Sequence, residues 1–191
     1  KAGVNWRYSS QPEPGTADRK IPIPRGKMTG GSSSINGMVY VRGQPLDYDT
    51  WAQHGNKGWG WSEVSRIFNK MENYKNSKND YRGKSGPLKI SKLADENPLY
   101  NALLKSAKSL GYPINDDYNG PNQEGIAKIQ ATILNGRRMS ADYCYLKPAL
   151  KRSNLKIITG AMTEKLIIND DQCSGVNYKK NTQISKVMCN K

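Results

Sequence analysis

One histidine, one phenylalanine and three cysteines occur among 191 residues, and sixteen carboxylates face thirty lysines and arginines. The lone His54 excludes a two-histidine metal site and leaves any Ser-His-Asp triad dependent on that one side chain. Cys144, Cys173 and Cys189 are too few and too scattered for a disulfide scaffold, and no CxxC or Cys/His spacing offers zinc a ligand set. A reducing, cytoplasmic compartment suits them. No apolar run approaches the roughly 20 residues that span a bilayer, and the N-terminal stretch lacks the basic, apolar, small-residue order of an export signal. Asp116 and Asp117 lack the further oxygen ligands that calcium needs. Neither G-x-G-x-x-G nor a P-loop is present, because Gly58-Trp59-Gly60 runs on into Trp61-Ser62-Glu63.

What is abundant is positive charge, +14 at pH 7. Nucleic acid is the first anionic partner to weigh. The basic residues come singly or in pairs, such as Arg137-Arg138, Lys151-Arg152 and Lys179-Lys180, and never as a run of five, so a solvated surface is the favoured reading. A basic nucleic-acid-binding protein stays as the alternative outside enzymology. The chain opens on Lys1 rather than Met, which suggests a piece of something longer.

Read along its length, the chain is mixed α and β without repeats. Pro12, Pro14, Pro22 and Pro24 make the N-terminal 25 residues an extended surface arm. Trp61, Val64, Ile67, Phe68 and Met71 mark one amphipathic helix with Ser62 as its cap, and residues 73–86 read as a loop. Asn97 as N-cap, Pro98 at the first helical position and Gly111 as stop predict a second helix with Leu99, Leu103, Ala107 and Leu110 on one face. Ala127, Ile129, Ala131 and Ile133 alternate with Lys128, Gln130 and Thr132, the period of a half-buried strand whose polar positions face water. Ser140 caps a short helix running to Pro148. Strands follow at 155–159, 162–168 and 175–179, with a turn at 169–171. Asp47 and Asp49 read as turn and helix-start residues, Trp51, Trp59 and Trp61 as buried against the adjacent helix, and His54 as structural or surface.

Gly30-Gly31-Ser32-Ser33-Ser34 has the composition of an anion cradle, in which bare backbone lets N–H groups approach a phosphate; a mobile linker or tight turn has the same composition. The surrounding residues narrow the choice. The run RGKMTGGSSSINGMVYVRG (25–43), followed by DYDTW (47–51), closely resembles the first signature of the glucose–methanol–choline (GMC) flavoprotein oxidoreductases, in particular their choline dehydrogenase and alcohol dehydrogenase branch. The likeness continues through GPL (86–88), DYNG (117–120), QEG (123–125), NGRRMSA (135–141), YLKPA (145–149) and RSNL (152–155).

The resemblance implies a partial GMC fold, α/β (mixed α+β), in which residues 1–72 carry the flavin-contacting loop and following helix, 73–135 are largely substrate-domain elements, and 136–191 return to strands of the FAD-binding domain. It implies that Gly30 and Gly31 allow close approach to FAD, that Ser32 offers a hydroxyl, and that Asn36, Gly37, Met38 and Val39 line the isoalloxazine. Arg25 and Lys27 are read evenly as surface charge or as added positive potential. Thr163, where the family usually has valine, lies in the strand pair that holds the adenine end through backbone groups. Thr29 stands where the family expects an aliphatic residue. Ile35 stands where some members tether the flavin through histidine, so the cofactor is expected to be FAD, non-covalently bound. The implied activity is oxidation of a primary alcohol, choline-like or other, to an aldehyde by hydride transfer to flavin N5. The implied electron acceptor is a quinone or respiratory carrier, nucleic acid is not among the partners, and peripheral association with the inner membrane is a second expected location. An oxygen-using oxidase and a lyase of the same family are the enzymatic alternatives. The family's dinucleotide fingerprint and catalytic histidine are not in this stretch, so this chain is expected to supply cofactor contacts, metal ions none, and acid/base groups none.

Overall fold

The proline-rich arm cannot join a regular sheet interior, because proline lacks the donor a ladder needs. In the computed structural model, which describes residues 3–77, 80–93 and 97–189, it forms a narrow ribbon instead. Strand β1 (Tyr8–Ser9) pairs antiparallel with β2 (Pro22–Ile23), a 3-10 turn at Pro14–Thr16 lies between them, and a bridge joins Asn5 to Gly26. Gly31–Ser34 then makes one 3-10 turn.

Helix α1 (Pro45–Gln53) starts on a capping box: Asp47 accepts the Gln44 N–H at 2.8 Å, and Pro45 supplies a first-turn residue that needs no donor. It has no apolar stripe, which is why periodicity shows only its successor, α2 (Trp61–Met71). Asp49 holds the two together by accepting the Trp61 N–H at 2.8 Å. Gly60, not Ser62, is the N-cap of α2, and the Ser62 hydroxyl bonds Glu63 inside the first turn. His54 closes α1 on the surface. Trp61 is half-buried among Tyr48, Phe68 and Tyr81, as expected of a packed aromatic. Trp51 and Trp59 are not buried: they are 48% and 53% exposed, packing edge-to-face on each other and lining an open groove with Val64, Ile67 and Phe68 of α2.

Beyond α2, β3 (Glu72–Asn73) pairs parallel with β4 (Leu88–Lys89), and β5 (Ser91–Lys92) precedes α3 (Pro98–Ser109). The segment expected as a plain loop contains fully buried Arg82 and Tyr74. Helix α3 follows its local signals: the Asn97 side chain accepts the Leu99 N–H at 2.9 Å, a contact worth about 1 kcal/mol, and Gly111 at φ +82° ends it. Only Ala107 of its apolar face is buried; Leu99 and Leu103 line an open groove with Leu93 and Ile129. The alternating run becomes two short strands, β6 (Gln130–Ala131), paired with β5, and β7 (Ile133–Leu134), paired with β8 (Arg137–Arg138). Their burial departs from alternation, with Gln130 at 0% exposure and Ile129 at 46%. Ala141, not Ser140, is the N-cap of the π-helical turn Asp142–Leu146, and Ser140 Oγ, one residue before it, accepts the Tyr143 N–H at 3.3 Å.

The chain divides into two compact units, Lys1–Ala149 and Leu150–Lys191. The second is a three-stranded antiparallel sheet in which β10 (Gln172–Lys180) lies between β9 (Ala161–Asn169) and β11 (Gln183–Met188). Asp170 and Asp171, both at positive φ, make the tight turn expected at 169–171. The expected strand at 155–159 is absent, since β9 finds its only partner among the described residues in β10.

Candidate functional site

The glycine-rich run folds as a fixed turn, not as a linker. Gly30 and Gly31 sit at φ +81° and +53°, where a side chain is unfavourable. A Cβ on Gly30 would meet Ser34 and Asp142, whereas one on Gly31 would meet nothing within 4 Å, so bare backbone faces open space there. The three serine hydroxyls hold the turn from within. Ser32 Oγ accepts the Gly26 N–H at 3.2 Å, Ser33 Oγ donates to the Gly30 carbonyl, and Ser34 Oγ donates to the Thr29 carbonyl at 2.9 Å. Neither nearby cation is aimed at it: the Lys27 ammonium lies over the Trp6 ring, and Arg25 donates to the carbonyl of Pro24.

Residues 36–42 leave this turn as an irregular edge with an isolated β-bridge at Val39, exposed at Val39 and Val41 and buried at Arg42. Asn36 Oδ1 accepts the Met38 N–H at 3.1 Å, and Met38 adopts φ +63°, unusual for a side chain of its size. Gly37 has open space around it. Val39 bridges Ala131 through the bonds of its neighbours, Tyr40 N–H to the Gln130 carbonyl and Thr132 N–H to the Met38 carbonyl. That register turns the N–H and C=O of Val39 away from its partner, and its side chain is 55% exposed. Asn36, Gly37, Met38 and Val39 are therefore brought together, with the N–H and C=O of Val39 turned outward while those of Met38 and the Asn36 carbonyl are taken up within the protein. Thr163 is an exposed residue of β9, opposite Tyr178 beside a bulge.

Behind this edge lies a buried ionic cluster that sequence reading missed. Glu72 Oε1 accepts from Arg42 Nη2, from Arg82 Nε at 2.8 Å and from the Gly83 N–H at 2.7 Å, while Oε2 accepts from Arg82 Nη2 at 3.0 Å. Arg82 Nη1 reaches Asp117 and Gln130 Oε1. Two guanidinium and two carboxylate groups make the cluster neutral overall. Burial opposes the charge on Arg82, yet the bonds and charge of Glu72, with Asp117, hold its pKa above the ordinary value. Asn119 accepts the Arg42 N–H at 2.6 Å and donates to the Tyr40 carbonyl at 3.0 Å, Tyr118 donates to the same carbonyl at 3.0 Å, and Gln123 donates to the Arg42 carbonyl at 2.8 Å. The D-Y-N-G and Q-E-G motifs thus satisfy, with side chains, the backbone of the strand that carries Val39.

Tyr40 lies at the join. Its buried hydroxyl makes no hydrogen bond of good geometry among the described residues, although Arg42 and Glu72 lie beside it, and burial, then the negative charge of Glu72, pushes its pKa up to about 12. The unfolded chain ionises this phenol near pH 10, so its share of stability is intact below pH 10 and is lost as pH rises toward 12. Tyr40→Phe should gain about 1 kcal/mol at pH 7 by removing an unsatisfied polar atom, and should reduce the alkaline loss; urea midpoints at pH 7 and pH 11 measure both, and a destabilised variant at pH 7 would refute the assignment.

A protein-family model described as GMC oxidoreductase matches residues 13–191. The chain is 43% identical over 183 residues to the oxygen-dependent choline dehydrogenase of Brucella ovis, covering 96% of this chain and 33% of that protein. It is 43% identical over 187 residues to the enzyme of the same name from Rhizobium johnstonii, covering 98% and 34%. Among solved structures, pyridoxine 4-oxidase from Mesorbium loti superposes with a TM-score of 0.90 at 32% identity, over 97% of this chain and 37% of that one. An FAD-dependent oxidoreductase from Chaetomium thermophilum gives 0.90 at 26% identity, over 98% and 35%. The chain spans about a third of the length of the curated relatives it matches. With the signature turn, the side-chain-braced strand edge and a family match over most of its residues, the chain belongs to the GMC oxidoreductase family.

Proposed function

We propose that this chain is the part of a GMC flavoenzyme that receives FAD, non-covalently, and that the whole polypeptide oxidises a primary alcohol to an aldehyde, with choline the first candidate. The observation that carries this reading is the outward N–H and C=O of Val39 on a strand edge next to an open glycine turn. Such an edge fits a planar ring system bearing both hydrogen-bond donors and acceptors, and the side-chain-free surface at Gly31, whose own N–H is taken by the Met28 carbonyl, leaves room for a phosphate. When bound, FAD supplies the hydride acceptor. Gly30, Gly31 and Ser32 would hold the cofactor's phosphates, Asn36 to Val39 would orient its ring, and Thr163 would offer a backbone contact to the adenine end. Residues 73–135 would be largely substrate-domain elements and 136–191 FAD-domain strands. We place the group that takes the proton from the alcohol elsewhere in the polypeptide, as the family resemblance implies. Ile35 carries no nucleophilic atom, which supports a non-covalent cofactor. Among the described residues no helix is long and apolar enough to cross a membrane; the electron acceptor we favour is a quinone or other respiratory carrier, met at the cytoplasmic face of the inner membrane.

The full-length protein should release all its FAD on acid precipitation, and choline added without oxygen should bleach its visible flavin absorption. A flavin-free protein, or flavin left in the pellet, overturns the cofactor assignment. Bound flavin that no primary alcohol bleaches favours the lyase alternative.

A further inference from the structure

We propose that Arg138 is a positioning residue for the cofactor-facing turn: its guanidinium, reaching back from the β7–β8 hairpin, sets the backbone of Asn36 to Val39. The inference rests on the functional reading above, which puts that backbone against the flavin. Arg138 Nη1 donates to the Asn36 carbonyl at 2.7 Å, to Asn36 Oδ1 at 2.8 Å and to the Ser33 carbonyl at 3.3 Å. A single nitrogen therefore ties the end of the glycine-rich turn to the start of the exposed edge, across about a hundred residues of sequence.

Asn36 relays the effect. The same Oδ1 that accepts from Arg138 accepts the Met38 N–H, and Met38 is held at φ +63°, a conformation that is unfavourable for a residue with a side chain and persists only where its surroundings enforce it. From the other side, Thr132 fixes the Met38 carbonyl with its N–H at 2.9 Å and its hydroxyl at 3.3 Å. The Ala141 N–H adds a third tie, to Ser33 Oγ at 2.9 Å. Residues 132–141 thus grip the turn at Ser33, Asn36 and Met38, and the one charged member of that grip is Arg138. Among the described residues no carboxylate lies within ion-pair distance of it, so its charge is spent on loop carbonyls. Its neighbour Arg137 instead lies over the Tyr143 ring. Two adjacent arginines that read alike in sequence have different tasks.

The test uses the full-length protein with Arg138→Met, which keeps the aliphatic stem and removes the donors, and Arg138→Lys, whose ammonium falls about one bond short. Arg138→Met should weaken FAD binding to the apoprotein about 10- to 100-fold, the worth of the charged hydrogen bonds it loses. It should also speed amide hydrogen exchange across residues 33–39 of the apoprotein about tenfold or more, while exchange in α3 stays wild-type. Arg138→Lys should fall between the two in both readouts. Unchanged exchange across 33–39 together with unchanged FAD affinity overturns the proposal. Exchange raised throughout, α3 included, also overturns it, by making Arg138 a support of the whole fold. If the wild-type protein takes up no FAD, the functional reading fails, and exchange in the apoprotein still decides whether Arg138 holds the turn.

Discussion

Glu72→Gln is expected to destabilise the first unit by about 3–5 kcal/mol, the cost of removing one partner from a buried ion cluster. The wild-type carboxylate accepts four hydrogen bonds from two guanidinium groups and a backbone N–H, with Glu72 at 0% and Arg82 at 2% exposure. Glutamine keeps one acceptor oxygen and replaces the other with a donor, aimed at groups that are themselves donors. Arg42 and Arg82 are then left with Asp117 as the one remaining negative charge, and a net charge has been buried. Against a typical total of 5–15 kcal/mol, this is enough to unfold the unit at moderate temperature. A fall in urea midpoint at unchanged slope measures it, and a loss below about 1 kcal/mol would show that the cluster does not hold the strand.

A second variant separates the worth of the cluster from the cost of breaking it. Replacing Arg42, Glu72 and Arg82 together by methionine, leucine and methionine removes every buried charge except the partly exposed Asp117, and such exchanges are commonly neutral or stabilising. Near-wild-type stability in the triple variant with severe loss in Glu72→Gln would mean that the cluster specifies where Arg42 sits more than how stable the unit is.

Two elements have local signals clear enough to be legible in the sequence: α3, from Asn97, Pro98 and Gly111, and the turn at 169–171. Helix α1 was not, since it is held by a capping box and by Asp49 reaching to Trp61, neither of which leaves an apolar period. Gln130 shows the limit most directly. Alternation places it on the wet face of a strand, but its amide is taken up by Arg82, Asp117 and Asn119, and a polar side chain whose oxygen and nitrogen are both hydrogen-bonded is at home in a core. Those partners lie 48, 13 and 11 residues away, and nothing in a single sequence pairs them. The resemblance motifs carried the missing signal without its reason: D-Y-N-G and Q-E-G contain Asp117, Asn119 and Gln123, which join the cluster or brace the Tyr40–Arg42 backbone. The glycine-rich turn was legible as a cradle or a linker, and the choice between them rests on serine hydroxyls that bond inward.

Gly26→Ala is the second large effect, and it acts on the turn itself. A Cβ built at Gly26 falls on the carbonyl of Gly31 and within 2.9 Å of the Ser32 nitrogen. Both are backbone atoms, so no side chain can swing aside to make room. Gly26 is also fixed from its own side, by the bridge to Asn5, by the Lys27 N–H to the Val4 carbonyl at 2.9 Å, and by its N–H to Ser32 Oγ. The methyl must therefore push the 30–34 turn away from the arm and break the Gly26–Ser32 bond. Overpacking of this kind costs about 1–3 kcal/mol, and because the displaced atoms are the proposed phosphate cradle, the expected result is FAD affinity about 10- to 100-fold weaker alongside a lower melting temperature. Gly15→Ala serves as the comparison, since a Cβ there meets nothing within 4 Å. Titration of the two full-length apoproteins with FAD decides the matter: equal affinity in Gly26→Ala and Gly15→Ala would remove the 30–34 turn from the cofactor site, while a loss confined to Gly26→Ala would tie cofactor binding to the contact of one glycine with the next turn of chain.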